Sequence, residues 1–190
     1  MSDGNAKSNE IKRILAVEAI SLVAKFTEYD DLLGEGNTNI DILNKSASKF
    51  FSIFQQVVWT DLVMHLMRIT GPKASDRKGE RKNITIRQLP ELTIEIFRDE
   101  VQEKVNIAVE KSKFVEDARN KVLAHLDLNV ALSPNAGGIK RGNRDEMRDA
   151  VKAVAQAIES ALPGQVSWRT SHYPGGANDL LKILDSALKK

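Results

Sequence analysis

FFSIFQQVVWTDLVMHLMRI (residues 50–69) is the densest apolar run in the chain and contains neither proline nor glycine. Its length of about 20 residues would span a bilayer. Gln55, Gln56, Asp61, His65 and Arg68 interrupt it, however, and hydrocarbon would penalise each of those groups. The run therefore reads as a helix buried in protein. Its second half is apolar on most sides, which places it at the centre of a helical bundle. Extended upstream, the pattern predicts one long helix from about Asp41 to Ile69, stopped by Gly71-Pro72.

The flanks repeat the helical period. Ile11, Ile14, Leu15, Glu18, Leu22 and Phe26 form a mostly apolar face that ends before the Gly34-Glu35-Gly36-Asn37 loop. Residues 71–84 form a polar connection, a short helix is expected near Thr85, and Pro90 falls at or near the first turn of a longer one. Helical periodicity then runs from Glu91 to about Leu128, long enough that a break is expected near Lys111-Ser112-Lys113. After the Ser133-Pro134-Asn135-Ala136-Gly137-Gly138 loop, Asn143 and Glu146 resemble a capping box opening a helix to about Ala161. Asn178 is placed to cap a last helix running to Lys189. With no repeats and no strand alternation, the expected fold is an all-α bundle of about five to seven helices. Residues 1–9 read as a flexible N-terminus, and 10–190 as a single domain.

Composition narrows the function classes. The 190 residues are 42% apolar and 28% charged, as in an ordinary globular protein. A net charge of +2 creates no overall field, so a nucleic-acid surface would have to come from local clustering. Cysteine is absent, which removes disulfide scaffolds and thiolate chemistry. Three scattered histidines have no metal-site spacing, and no glycine loop has a phosphate-binding context. No metal or cofactor is therefore expected. The polar start, Met1 to Glu10, lacks the apolar core of a signal peptide, so a soluble, cytoplasmic protein without membrane contact is expected.

The heptad Arg119-Asn120-Lys121-Val122-Leu123-Ala124-His125 carries the chemistry. On a helix, Val115, Ala118, Val122 and Leu126 would share one apolar seam, with Arg119 about 40° to one side and His125 about 80° to the other. Arginine and histidine would stand roughly 9 Å apart along the axis, so one helix does not force them together. A seam that pairs with its own copy would bring two arginines and two histidines into one cleft. Such a set suits metal-independent RNA cleavage. Histidine can move a proton near neutral pH, and arginine can stabilise charge developing on the phosphoryl oxygens. Asn120 can hold the backbone or the histidine. The bland reading of the same residues pairs Arg119 with Glu116 and sets His125 at a helix C-terminus.

Asp117-Ala118-Arg119-Asn120-Lys121-Val122-Leu123-Ala124-His125-Leu126-Asp127 resembles the signature of HEPN domains, in particular the AbiU-like branch linked to bacterial abortive infection. Arg68-Ile69-Thr70-Gly71-Pro72, a polar insert, then Asn83-Ile84-Thr85-Ile86 and Leu89 resemble the linker of that branch. The similarity covers roughly residues 10–187. It implies Arg119 and His125 as the catalytic pair of a homodimeric endoribonuclease, with Asn120 assisting, in phage defence or a toxin–antitoxin system. An antitoxin or regulatory protein is then a possible partner. The alternative is a non-catalytic module that binds RNA, nucleotide or a partner protein.

Secondary candidates are less specific. From Arg68 to Arg87 seven basic residues (Arg68, Lys73, Arg77, Lys78, Arg81, Lys82, Arg87) face only Asp76 and Glu80. Arg77, Lys78, Arg81 and Lys82 are the RNA-binding candidates there; a solvated loop is the other reading. Lys140, Arg141 and Arg144 form a smaller basic patch. His65 reads as a satisfied core histidine. His172, beside Trp168 and Tyr173, either stacks on a base or packs its loop.

Overall fold

The computed structural model describes residues 2–34, 37–74, 82–118, 141–168 and 175–189. Seven α-helices occur among them: α1 Ser2–Leu33, α2 Asn37–Thr70, α3 Leu89–Leu92, α4 Arg98–Lys111, α5 Phe114–Ala118, α6 Arg141–Ala161 and α7 Ala177–Leu188. The described residues contain no strand beyond an isolated antiparallel bridge between Ala74 and Lys82. The all-α expectation holds, and no helix among these residues is long and apolar enough to cross a membrane.

The apolar run at residues 50–69 sits where its composition put it. Leu62, Val63, Leu66 and Ile69 of α2 are buried at helical spacing. They share one core with Leu15, Ala19, Leu22 and Phe26 of α1 and with Met147, Val154 and Ile158 of α6. α1 and α2 run antiparallel, because Glu18 meets Arg68 while Lys25 meets Asp61. α4 buries Val101, Val105 and Ala108 and packs along α6, the most extensive helix pair. α6 is fixed to α1 at its charged end. Arg148 Nη2 donates to both Asp30 oxygens at 2.9 and 3.1 Å, and Arg144 Nη1 donates to the Leu33 carbonyl at 3.2 Å. The Arg144 guanidinium also lies 3.2 Å from Asp30. Arg144 thus serves α1–α6 packing, not an open basic patch.

Several boundaries differ from the sequence reading, each for a local reason. α2 begins at Asn37 and contains a non-helical residue, Ala47. The helix expected from Pro90 onward is broken: α3 has four residues, Thr93 is extended, and α4 starts only at Arg98. Thr93 Oγ1 donates to the Leu89 carbonyl and its N–H points to Pro90 O. The buried threonine so ends α3 with its own polar atoms partnered. The break at Ser112 occurs as expected, with the Ser112 hydroxyl returned to Ala108 O. Asn143 lies inside α6 and does not open it. Asn178 is likewise inside α7, where it donates to Asp31. The start of α7 is held instead by Glu28 of α1, whose Oε2 accepts the Ala177 N–H at 2.6 Å.

Candidate functional site

One cleft of about 960 Å³ opens between α1, the C-terminal half of α2, the 71–87 connection and α5. Ile14, Leu15 and Glu18 form its α1 wall, and Met64, Met67 and Arg68 its α2 wall. The connection contributes Gly71, Pro72, Lys82, Asn83, Ile84 and Arg87, and Ser112, Val115 and Glu116 close the far end.

The connection is shaped by a set of short polar contacts. Gly71 follows α2 so tightly that a Cβ there would stand 2.7 Å from the Met67 carbonyl oxygen, which only glycine avoids. The chain then doubles back. Asn83 N–H donates to Lys73 O at 2.8 Å, Asn83 Nδ2 to Pro72 O at 3.1 Å, and Ala74 bridges to Lys82. Arg87 Nε donates to Thr70 O at 2.9 Å, tying the end of the connection to the end of α2. Lys73 also pairs with Glu91. Thr85 N–H donates to Gln88 Oε1, half of a capping arrangement that starts the turn before α3. The polar residues in the second stretch of resemblance therefore have a structural duty: they hold the rim of the cleft.

Beneath that rim lies His65, 2% exposed. Its Nε2 is 3.0 Å from Glu18 Oε2, but neither ring nitrogen has a hydrogen-bond partner. The contact is close enough to count as an ion pair if His65 were charged, yet wrongly directed for N–H donation. Burial pushes the imidazole below its ordinary pKa, and the Lys25 and Arg68 charges add to this, with Glu18 and Asp61 opposing. The ring is therefore neutral near pH 7. The expectation of a core histidine holds; that of a satisfied one does not. Glu18 consequently faces one full cation, Arg68, whose Nη2 donates to it at 3.1 Å.

The sequence-derived site residues divide between described and undescribed segments. Arg119, Asn120 and His125 lie outside the described residues, as do Arg77, Lys78 and Arg81. α5 carries the chain to Ala118, the residue before Arg119, and its Val115 and Glu116 border the cleft. Val115 is buried within this one chain, so the apolar seam is used for the protein's own core at that position. Lys82, the residue after the basic run, lines the cleft. His172, Tyr173 and Lys140 also lie outside the described residues. Trp168 packs its loop, with Nε1 donating to Glu159 at 2.8 Å. The described residues hold no cluster of histidine and carboxylate groups suited to a metal ion.

Sequence reasoning missed two residues that shape the cleft. Glu18 counted only as a polar interruption in the α1 face, although a carboxylate among Ile14, Leu15 and Leu22 was a signal. Arg87 counted only toward a local charge excess, while its structure shows an anchored guanidinium on the cleft wall.

No curated protein and no solved structure gives a significant match to the chain. A family model described as AbiU2, of the HEPN type, matches residues 8–163. That span takes in most of α1, all of α2 through α6, the connection that rims the cleft, and the Arg119–His125 heptad. The chain belongs to the AbiU2 family of HEPN domains.

Proposed function

We propose that the protein is a metal-independent endoribonuclease that works as a homodimer in the bacterial cytoplasm, in phage defence or as the toxin of a toxin–antitoxin pair. Membership of the AbiU2 family carries this reading, together with a heptad that supplies one fixed cation and one proton carrier directly after α5. In this mechanism His125 takes the proton of a ribose 2′-hydroxyl as that oxygen bonds to phosphorus. The phosphorus–O5′ bond breaks, and the leaving oxygen receives a proton from the second histidine of the dimer. Arg119 holds the phosphoryl oxygens through its fork of donors while negative charge grows on them. Asn120 orients the histidine. Arg77, Lys78, Arg81 and Lys82 track the phosphate backbone.

The test is incubation of the purified protein with total RNA in EDTA. The expected products are a 2′,3′-cyclic phosphate on one fragment and a free 5′-hydroxyl on the other. His125→Ala should lower turnover by about 10²–10⁴-fold, and Arg119→Lys should rescue poorly because a point charge does not reproduce the fork. A requirement for divalent metal with 5′-phosphate ends would overturn the chemistry. Equal rates in wild type and His125→Ala would make the heptad structural, and the protein a binding module.

A further inference from the structure

The cleft beside α5 gathers three members of the Arg68–Arg87 basic run in a way that charge counting alone does not show. Three cations line it, and they are not equivalent. Arg68 is held by Glu18. Arg87 is tethered through Nε to Thr70 O, yet its two Nη groups have no partner among the described residues. Lys82 sits at the bridge to Ala74, and its Nζ likewise has none among them. Arg87 therefore presents a pre-oriented fork, so the cost of ordering it is met before a ligand arrives. Beside these cations the lining includes aliphatic surface: Met64 and Ile84 are 44% and 40% exposed and both line the cleft. A volume of about 960 Å³ accommodates a ligand of nucleotide size with room to spare.

We propose that this cleft holds one nucleotide of a single-stranded RNA. Arg87 and Lys82 grip its phosphate, its base packs on Met64 and Ile84, and Glu18 restrains the grip by occupying Arg68. The inference rests on the ribonuclease reading only for the choice of RNA as ligand. It gives Glu18 a definite sign. Because His65 is neutral, the Glu18 carboxylate is offset by Arg68 alone, and removing its charge would free a third cation for phosphate. The apolar wall requires an unstacked base, which single strands offer and duplexes do not.

The experiment measures binding of a short 2′-fluoro RNA, which has no 2′-hydroxyl to attack, by fluorescence anisotropy across a salt series. Each phosphate contact to a single strand contributes a slope of about 0.7, which at 0.1 M salt is about fivefold in affinity. Lys82→Gln and Arg87→Gln should each weaken binding about fivefold and lower the slope by about 0.7. Glu18→Gln should tighten binding by up to about fivefold, a result that misfolding does not produce. Lys152→Gln, on the exposed side of α6 and not in the cleft, should change nothing.

Shifts below twofold in all three cleft variants would overturn the proposal, as would weaker binding by Glu18→Gln. A duplex that binds as tightly as the single strand would also overturn it. So would adenosine 5′-monophosphate displacing the strand at equal concentration, which would mark a free-nucleotide site. The two readings fail separately. If wild type cuts no RNA yet these shifts appear, the nuclease assignment falls and the cleft stands. If wild type cuts RNA with binding unshifted, the cleft assignment falls alone.

Discussion

Replacing His65 with leucine should make the protein more stable, although the residue lies in the middle of the core. His65 is 2% exposed and both ring nitrogens lack a hydrogen-bond partner. A buried polar atom left unsatisfied costs about 1–3 kcal/mol. Nε2 lies 3.0 Å from a Glu18 oxygen without a hydrogen bond to it, and counting Nδ1 alone keeps the figure conservative. Leucine differs in shape from an imidazole, which offsets about 1 kcal/mol. The net gain is about 1 kcal/mol, or a rise of about 2–4 °C in Tm for a chain of this size. The pH dependence supplies a second, independent signature. The folded-state pKa of His65 is lowered, chiefly by burial, while the unfolded chain keeps a value near 6.5. Below about pH 6.5 the unfolded state binds the extra proton, so wild type loses stability as pH falls from there toward the lowered folded value. Leucine has no proton to bind. The gap between variant and wild type should therefore widen from pH 7.5 to 5.5, and His125 and His172, common to both chains, cancel in the difference. Thermal unfolding followed by circular dichroism at the two pH values measures both quantities. A variant less stable than wild type at pH 7.5, or a gap that is the same at both, would refute the reasoning.

Further outcomes follow from other contacts. Gly71→Ala places a Cβ 2.7 Å from a backbone carbonyl and should cost about 1–3 kcal/mol, read by urea denaturation, with RNA binding weakened as the rim shifts. Glu28→Ala removes the acceptor of the Ala177 N–H. It should cost about 1 kcal/mol and speed hydrogen exchange at the first turn of α7 while leaving α2 protected. Changing Arg77, Lys78, Arg81 and Lys82 together to serine should flatten the salt dependence of RNA binding by up to about 3 in slope. The far-ultraviolet spectrum should be unchanged.

The helical core was legible in the sequence because its signals were strong and local. The apolar second half of α2 and the Gly71-Pro72 stop specify one long buried helix with little competition, and Ser112 marks the end of α4 within a residue. The failures share a cause. Asn143 and Asn178 were judged by capping preference, yet both lie inside their helices, and the start of α7 is set by a partner distant in sequence. Asn178 meets Asp31, and the cap it was meant to supply comes from Glu28. The cleft was legible only as charge. Its pairings join Glu18 to Arg68 and Arg87 to Thr70, and no periodicity within one helix reveals which cation is neutralised and which remains available. The heptad itself stood out from residue types alone, since a histidine and an arginine are informative wherever the backbone places them.

The doubled-back connection has a consequence for how the protein can vary. The pairing of Ala74 with Lys82, the Asn83–Lys73 hydrogen bond and the Arg87–Thr70 tether close the chain on either side of residues 75–81. The cleft walls given by Gly71, Pro72, Lys82, Asn83, Ile84 and Arg87 are thus held by contacts that flank that segment. Doubling the length of such a segment costs only about 0.6 kcal/mol in closure entropy, far less than moving Arg87 or Gly71. Changes of length within residues 75–81 are therefore cheap so long as the flanking closures persist.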